Sequence, residues 1–223
     1  ARARISIVGG NIARSPGPLI VDVTVTGSVH SRRVLTRGGA RAGDDLYVTG
    51  SLGGAARGLR LLSAAAASPI PPSREPLRRT SRLDELAADP CVMKYLRPEP
   101  RTRFGLLLGR NRAARACIDL SDGLADGVRQ IGEASGLGAI VEADELPIEK
   151  GATLRDALGG GEDYELLFAV SPRMRSRLRN ARRLASDVTV TRIGRLTADR
   201  AMLLSRNGSI EELQDGFDHF ATT

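Results

Sequence analysis

The eight residues Cys117-Ile118-Asp119-Leu120-Ser121-Asp122-Gly123-Leu124 constrain this chain more than any other stretch. Ala116 to Ile118 is a short apolar run that ends like a buried strand. From Leu124 the spacing changes, and Leu124, Val128 and Ile131 recur at helical intervals around Arg129, Gln130 and Glu133. A strand therefore runs straight into a helix, and the junction carries the carboxylates of Asp119 and Asp122 and the hydroxyl of Ser121. Two readings are open. In one, Ser121 or Asp122 caps the helix and Asp119 is solvated. In the other, the crowded carboxylates hold a divalent cation, since Mg²⁺ takes one or two carboxylates and completes its shell with substrate phosphate. No Glu or Gln follows either candidate cap at the third position, so a reciprocal capping box is absent, and capping leaves Asp119 unexplained.

The rest of the chain alternates strands and helices around that junction, which predicts an α/β or α+β layered domain. Ile5 to Val8 and the β-branched run Leu19 to Thr26 read as strands. Leu46 to Thr49 reads as a strand entering Gly50-Ser51-Leu52-Gly53-Gly54, with a helix from about Ala55 to Ala67. Such a glycine-rich turn at a helix start can cradle phosphate, although no Gly-Lys-Ser/Thr follows to make it a P-loop. Ser68 to Arg82 is a Pro-, Ser- and Arg-rich surface excursion, and Leu83 to Tyr95 mixes short helical pieces. Arg97-Pro98-Glu99-Pro100 is an extended stop before a helix over Thr102 to Ala114. Strands follow at Ala139 to Val141, Tyr164 to Val170, Val188 to Ile193 and Met202 to Leu204, with an amphipathic helix over Pro172 to Ala185. Gly159-Gly160-Gly161-Glu162-Asp163 sets a second glycine-rich turn beside two acids, which hairpin geometry alone also explains.

Composition narrows the function classes. No apolar run is long enough to span a membrane, and Cys91 and Cys117 are too far apart to suggest a zinc site or disulfide framework. A reducing cytoplasm follows from that cysteine usage, with the Cys117 thiol read as a small core group. The net charge of +7 points to an anionic partner, but aromatics are 3% and the arginines are scattered. With no nucleic-acid motif, the excess reads as compositional bias, partly available to a phosphorylated ligand.

Taken together the motifs are more specific than any one of them. Ile118-Asp119-Leu120-Ser121-Asp122-Gly123-Leu124 and Gly160-Gly161-Glu162-Asp163-Tyr164-Glu165-Leu166-Leu167-Phe168 follow Leu35-Thr36-Arg37-x-Gly39-Ala40-x-x-Gly43-Asp44. With Val48-Thr49-Gly50 and the terminal Gly216-Phe217-Asp218-His219-Phe220, the set resembles the thiamine-monophosphate kinase family of the aminoimidazole ribonucleotide synthetase superfamily. The resemblance runs from Gly9 to Phe220. It implies a PurM-like two-domain kinase, with residues 1–41 a C-terminal remnant of the N-terminal ATP-binding and dimerisation domain, and 42–223 a complete C-terminal α/β domain. It also implies that a preceding segment, which carries further metal-binding aspartates in the family, is missing from this chain.

The implied activity is phosphorylation of thiamine phosphate to thiamine diphosphate with ATP and Mg²⁺, by a cytoplasmic homodimer with no nucleic-acid or membrane partner. By resemblance, Asp119 and Asp122 are the catalytic residues and hold Mg²⁺ together with Asn11. Gly10, Asn11, Arg37 and Ser121 would contact ATP, and Glu162 and Phe217 the thiamine phosphate. Two positions depart from the family pattern: Asn11 stands where Asp is usual, offering a neutral amide oxygen to the metal, and Phe217 replaces Trp or Tyr. The chemistry suits these residues, because phosphoryl transfer needs positioning and charge neutralisation more than covalent catalysis. The alternatives are a related ATP-dependent enzyme acting on another substrate, of aminoimidazole ribonucleotide synthetase or hydrogenase-maturation type, and a non-catalytic ligand-binding module. The Gly-Gly-Glu-Asp-Tyr-Glu-Leu run and the tail favour the kinase.

Overall fold

The computed structural model describes residues 6–67 and 86–214, and the chain divides into two units, residues 1–34 and residues 35–223. In the first, residues 6–34 form no helix or strand and are exposed throughout. The strand expected over Leu19 to Thr26, and the described part of Ile5 to Val8, are therefore corrected. β-branched propensity measures fit to a half-buried pleated surface, and these residues have no ladder partner among the described residues.

The second unit is built on a sheet of seven strands. They are β1 (Asp45–Thr49), β2 (Ala116–Asp119), β3 (Gly138–Glu142), β4 (Leu166–Val170), β5 (Val190–Thr197), β6 (Met202–Arg206) and β7 (Ser209–Glu212), in the order β2-β4-β1-β5-β3-β6-β7. Only β3 and β6 pair in parallel; every other neighbouring pair is antiparallel. The helices are α1 (Gly54–Ala67), α2 (Pro90–Leu96), α3 (Thr102–Asn111), α4 (Leu124–Ser135), α5 (Leu154–Gly159) and α6 (Arg175–Leu184).

The central strands read as unbroken apolar runs because both faces of the sheet are covered. Leu46, Val48, Leu167 and Ala169 join one core with Leu124, Val128 and Ile131 of α4 and Ala157 of α5. Tyr47, Phe168 and Val170, one residue out of phase, join a second core with Phe104 and Leu108 of α3 and Leu178 of α6. Phe168 stacks on Tyr47 with ring centroids 5.8 Å apart. The layered α/β expectation holds, and the apolar spacing of Leu124, Val128 and Ile131 is fully used, since all three are completely buried.

Several boundaries move for local reasons. The helix expected to reach Ala114 ends at Asn111, where Arg112 turns left-handed (φ 47°) and Ala113 and Ala114 drop into the second core. The strand expected from Tyr164 begins at Leu166, because Glu162 and Tyr164 have φ of 70° and 49°, outside any strand conformation. The strand expected over Val188 to Ile193 lies at Val190–Thr197, and β6 continues through a two-residue Asn207-Gly208 turn into β7. Part of the arginine excess neutralises buried carboxylates: Arg115 sits 3.0 Å from Asp44, and Asp45 lies between Arg175 at 2.7 Å and Arg192 at 3.0 Å.

Candidate functional site

The two acidic motifs form one hydrogen-bonded ribbon. β2 and β4 pair antiparallel down to Asp119 opposite Leu166, and the pairing then continues beyond the strands. Leu120 donates its N–H to the Glu165 carbonyl at 2.8 Å, Tyr164 donates to the Leu120 carbonyl at 2.9 Å, and Glu162 donates to the Ser121 carbonyl at 2.7 Å. Residues 119–122 therefore lie alongside 161–165. Two glycines permit the approach. A Cβ on Gly161 would stand 2.4 Å from the Ser121 carbonyl oxygen, and one on Gly123, at φ +94°, would stand 2.7 Å from that of Leu158. The turn is not hairpin geometry: α5 leads into it, and β4 leaves it to pair with β2 and β1.

Capping does not account for the junction. Gly123 is the N-cap of α4, and no side chain caps that helix; the Ser121 hydroxyl instead donates to Asp122 Oδ2 at 2.7 Å. Asp119 is exposed at the end of β2, Asp122 is half-buried, and Glu162 is exposed across the ribbon. Their charges converge on one phenol. Burial pushes the Tyr164 hydroxyl up, and its bond with Glu162 and the charges of Glu162, Asp119 and Asp122 push it further. Hard, anionic oxygens gathered on one turn suit Mg²⁺. Among the described residues no three His, Cys, Asp or Glu groups are arranged to hold a metal, so a cation on this turn would complete its shell with phosphate or water oxygens.

The alternate residues of the second motif face the other way and belong to the scaffold. Asp163 is buried, and its carboxylate accepts from the N–H groups of Gly53 at 2.5 Å and Ala55 at 3.0 Å. The start of α1 is thus occupied by the chain's own carboxylate, which corrects the reading of Gly50 to Gly54 as a phosphate cradle. Burial raises the Asp163 carboxyl above its ordinary range, against the pull of those two amides and of Lys94. Glu165 is 1% exposed; it accepts from the Thr49 hydroxyl at 2.6 Å and, bidentate, from Arg101 Nε and Nη2, both at 2.7 Å. Lys94 stands between acids, 3.8 Å from Glu165, 4.0 Å from Asp163 and 3.9 Å from Glu149, and donates to the Ser51 carbonyl.

Arg37 is exposed, one residue after Thr36, whose carbonyl accepts from the Cys117 N–H at 2.9 Å. It therefore lies beside β2, the strand that delivers Asp119. Gly10 and Asn11 are exposed and lie in the first unit, and Phe217 lies outside the described residues. The Cys117 thiol is pushed up to about 12 by burial and by Asp119, which removes it as a nucleophile and fits the core role expected of it. The sequence reading missed a cavity of about 360 Å³ bordered by Pro98, Pro100, Thr102, Gly105, Asp119 and Tyr164. The Pro-Glu-Pro stop was its signal: two prolines fix an extended segment that cannot fold back on the sheet.

Comparison with known proteins gives one consistent picture. The family of AIR synthase related proteins, C-terminal domain, matches residues 41–204. The thiamine-monophosphate kinase of Salmonella typhimurium is 36% identical over 98% of this chain and 64% of its own length. Among solved structures, the thiamine-monophosphate kinase of Stenotrophomonas maltophilia superimposes with a TM-score of 0.64 at 31% identity, covering 81% of this chain and 56% of that one. AaThiL complexed with AMPPCP and TMP superimposes with a TM-score of 0.62 at 27% identity, covering 83% of this chain and 54% of that one. The chain spans about two thirds, 64%, of the length of the curated relatives it matches first.

Proposed function

Because the chain belongs to the family of AIR synthase related C-terminal domains, with the acidic ribbon intact, we propose that the protein phosphorylates thiamine phosphate to thiamine diphosphate with ATP and Mg²⁺. The observation that carries this reading is the pairing of residues 119–122 with 161–165, which sets Asp119 and Asp122 on one side of a single turn and Glu162 on the other. Two substrates that each bring phosphate need such a turn, with cation-holding oxygens beside a second acidic group that meets the acceptor.

In this reading Asp119 and Asp122 hold Mg²⁺, and the Ser121 bond to Asp122 fixes the carboxylate that does so. A Mg²⁺ held by Asp119 and Asp122 would supply charge neutralisation to the phosphates. Arg37 and Ser121 contact ATP, Glu162 and Phe217 contact thiamine phosphate, and Gly10 and Asn11 contribute to ATP and metal binding. No side chain has to remove a proton, since the accepting phosphate oxygen is already anionic. Residues 1–41 belong to the preceding ATP-binding domain and 42–223 to the second domain. The protein works as a cytoplasmic homodimer in this reading, and free Cys91 and Cys117 suit a reducing compartment.

The test is a direct product assay. Full-length protein with Mg-ATP and thiamine phosphate should form ADP and thiamine diphosphate in equal amounts, the latter read by fluorescence after oxidation to its thiochrome. ATP turnover without thiamine diphosphate would refute the reading.

A further inference from the structure

Arginines that are scattered along the chain are gathered by the fold onto one face of the second unit. α3 and α6 cover the same face of the sheet, where Phe104, Leu108 and Leu178 share one core. The two helices run antiparallel. Arg103, near the start of α3, donates to the Leu184 carbonyl at the end of α6 at 2.6 Å, and Arg177, near the start of α6, donates to the Arg112 carbonyl just past the end of α3 at 3.4 Å. Residues 100–118 and 172–186, which contain these helices, hold 11 arginines and no Asp or Glu, against a net charge of +7 for the whole chain, so everything outside them is net acidic. Arg101, Arg103, Arg115 and Arg175 are paired, with Glu165, Asp187, Asp44 and Asp45 in turn. Arg110, Arg173, Arg179, Arg182 and Arg183 are exposed and have no carboxylate partner among the described residues. Arg175, Arg179 and Arg183 also follow one another at i,i+4 spacing, where like charges on a helix repel.

Independently of the kinase reading, we infer that this face binds duplex DNA through its phosphate backbone. Guanidinium groups meet phosphate oxygens bidentately, and each contact releases condensed counterions, so a polyanion relieves the repulsion that the bare helix carries. Other anionic partners fit less well. A helix lying on a membrane needs a free apolar face, but Leu178, Ala181 and Ala185 are buried, which leaves Leu106 and Leu184 as the large apolar side chains exposed in the two segments. Single strands are gripped by stacking on aromatic rings, and Phe104, the one aromatic residue in these segments, is completely buried. The centre of a protein–protein interface is depleted of charge, whereas arginines run the length of this face. Ser176, Arg179, Asn180 and Arg183 are all exposed at i, i+3, i+4 and i+7, which makes one polar stripe along α6. The major groove of B-form DNA admits such a helix, and that of an RNA duplex is too deep and narrow for its side chains to read.

The test is fluorescence anisotropy of the full-length protein with a labelled, random-sequence DNA duplex over a range of salt. At about 150 mM salt the duplex should bind with a Kd of about 10 µM or tighter, and log affinity should fall against log salt with a slope of about −4 if the five unpaired arginines meet phosphates. The triple variant Arg179→Gln, Arg182→Gln, Arg183→Gln, whose new residues are good helix formers, should bind at least about tenfold more weakly with a slope of about −2. Lysine at the same three positions keeps the charge and should leave the slope unchanged. If the triple glutamine variant misfolds by circular dichroism, Arg110→Gln with Arg173→Gln carries the test, with a loss of about fivefold. A wild-type Kd weaker than about 100 µM, or glutamine variants that bind as wild type does, overturn the inference. Equal or tighter binding of an RNA duplex, of phosphatidylserine vesicles or of polyglutamate at the same salt overturns it in favour of that partner.

Discussion

Glu165→Gln probes the anchor on which the acidic ribbon depends. The Glu165 carboxylate is buried, and it neutralises Arg101 and Lys94, whose side chains keep 19% and 16% of their exposure. Removing its charge while keeping its shape leaves Arg101 facing an amide, whereas Lys94 keeps Glu149 at 3.9 Å and Asp163 at 4.0 Å. Breaking a buried ion pair from one side costs about 3–5 kcal/mol. The residual solvent access of both cations places this case at the lower end, near 3 kcal/mol, with one acceptor oxygen still available to the Thr49 hydroxyl. For a domain of this size that corresponds to a fall in melting temperature of roughly 6–12 °C. Chemical denaturation of Glu165→Gln, Arg101→Met and the double variant gives the decisive measurement. The two single losses should overlap, with a coupling energy of about 2 kcal/mol, because each removes the same bidentate contact. Losses that simply add, or a Glu165→Gln protein within about 0.5 kcal/mol of wild type, would show that the pair does not anchor the turn.

Gly123→Ala should destabilise the protein by about 2 kcal/mol or more in urea denaturation, since φ +94° strains any L side chain and the new Cβ would press on the Leu158 carbonyl. Asp122→Asn in the full-length protein should lower turnover by about two orders of magnitude or more with an unchanged melting temperature; near-normal turnover would remove Asp122 from metal binding. Cys117, raised from an ordinary 9.0 to about 12, should be alkylated by iodoacetamide at pH 8 about a thousandfold more slowly in the native protein than after unfolding, as read by mass spectrometry. The stability linked to that thiol is fully present below pH 9 and is lost as pH rises towards 12, because the unfolded chain releases the proton first.

Much of this arrangement is legible in the sequence, and the failures have physical causes. The strand-to-helix switch at Leu124 is visible because both elements bury one regular stripe, so period and burial agree. The same signal misleads at Leu19 to Thr26, where β-branched composition stands without a partner strand among the described residues. β7 was within reach: Asn207-Gly208 supplies two successive positive φ angles, the strongest short-range sign of a hairpin, but the strand after it is exposed along its whole length and carries no apolar pattern. The phosphate cradle at Gly50 to Gly54 fails for a reason no local reading can supply, because the anion at the start of α1 is Asp163, about a hundred residues away in the chain.

Asp163 also shows why two equal acids in one motif have opposite tasks. Glu162 and Asp163 are chemically alike, and nothing in the run Gly-Glu-Asp-Tyr-Glu tells which faces a ligand. The fold decides by what lies beneath each residue. Under Asp163 are two N–H groups at the first turn of α1 that no helical carbonyl can serve, and under Glu165 are Arg101, Lys94 and the Thr49 hydroxyl, so both carboxylates are drawn in. Glu162 and Tyr164 must then turn outward, and left-handed backbone at both residues is the geometric cost. A strained backbone, flanked by the buried Asp163 and Glu165 and bonded to Leu120 and Ser121, keeps the Tyr164 phenol within the influence of Asp119, Asp122 and Glu162. The Glu165 anchor lies directly beside Tyr164, so the Glu165→Gln protein should bind thiamine phosphate more weakly than wild type in calorimetry, and unchanged affinity would show that the anchor does not set the turn.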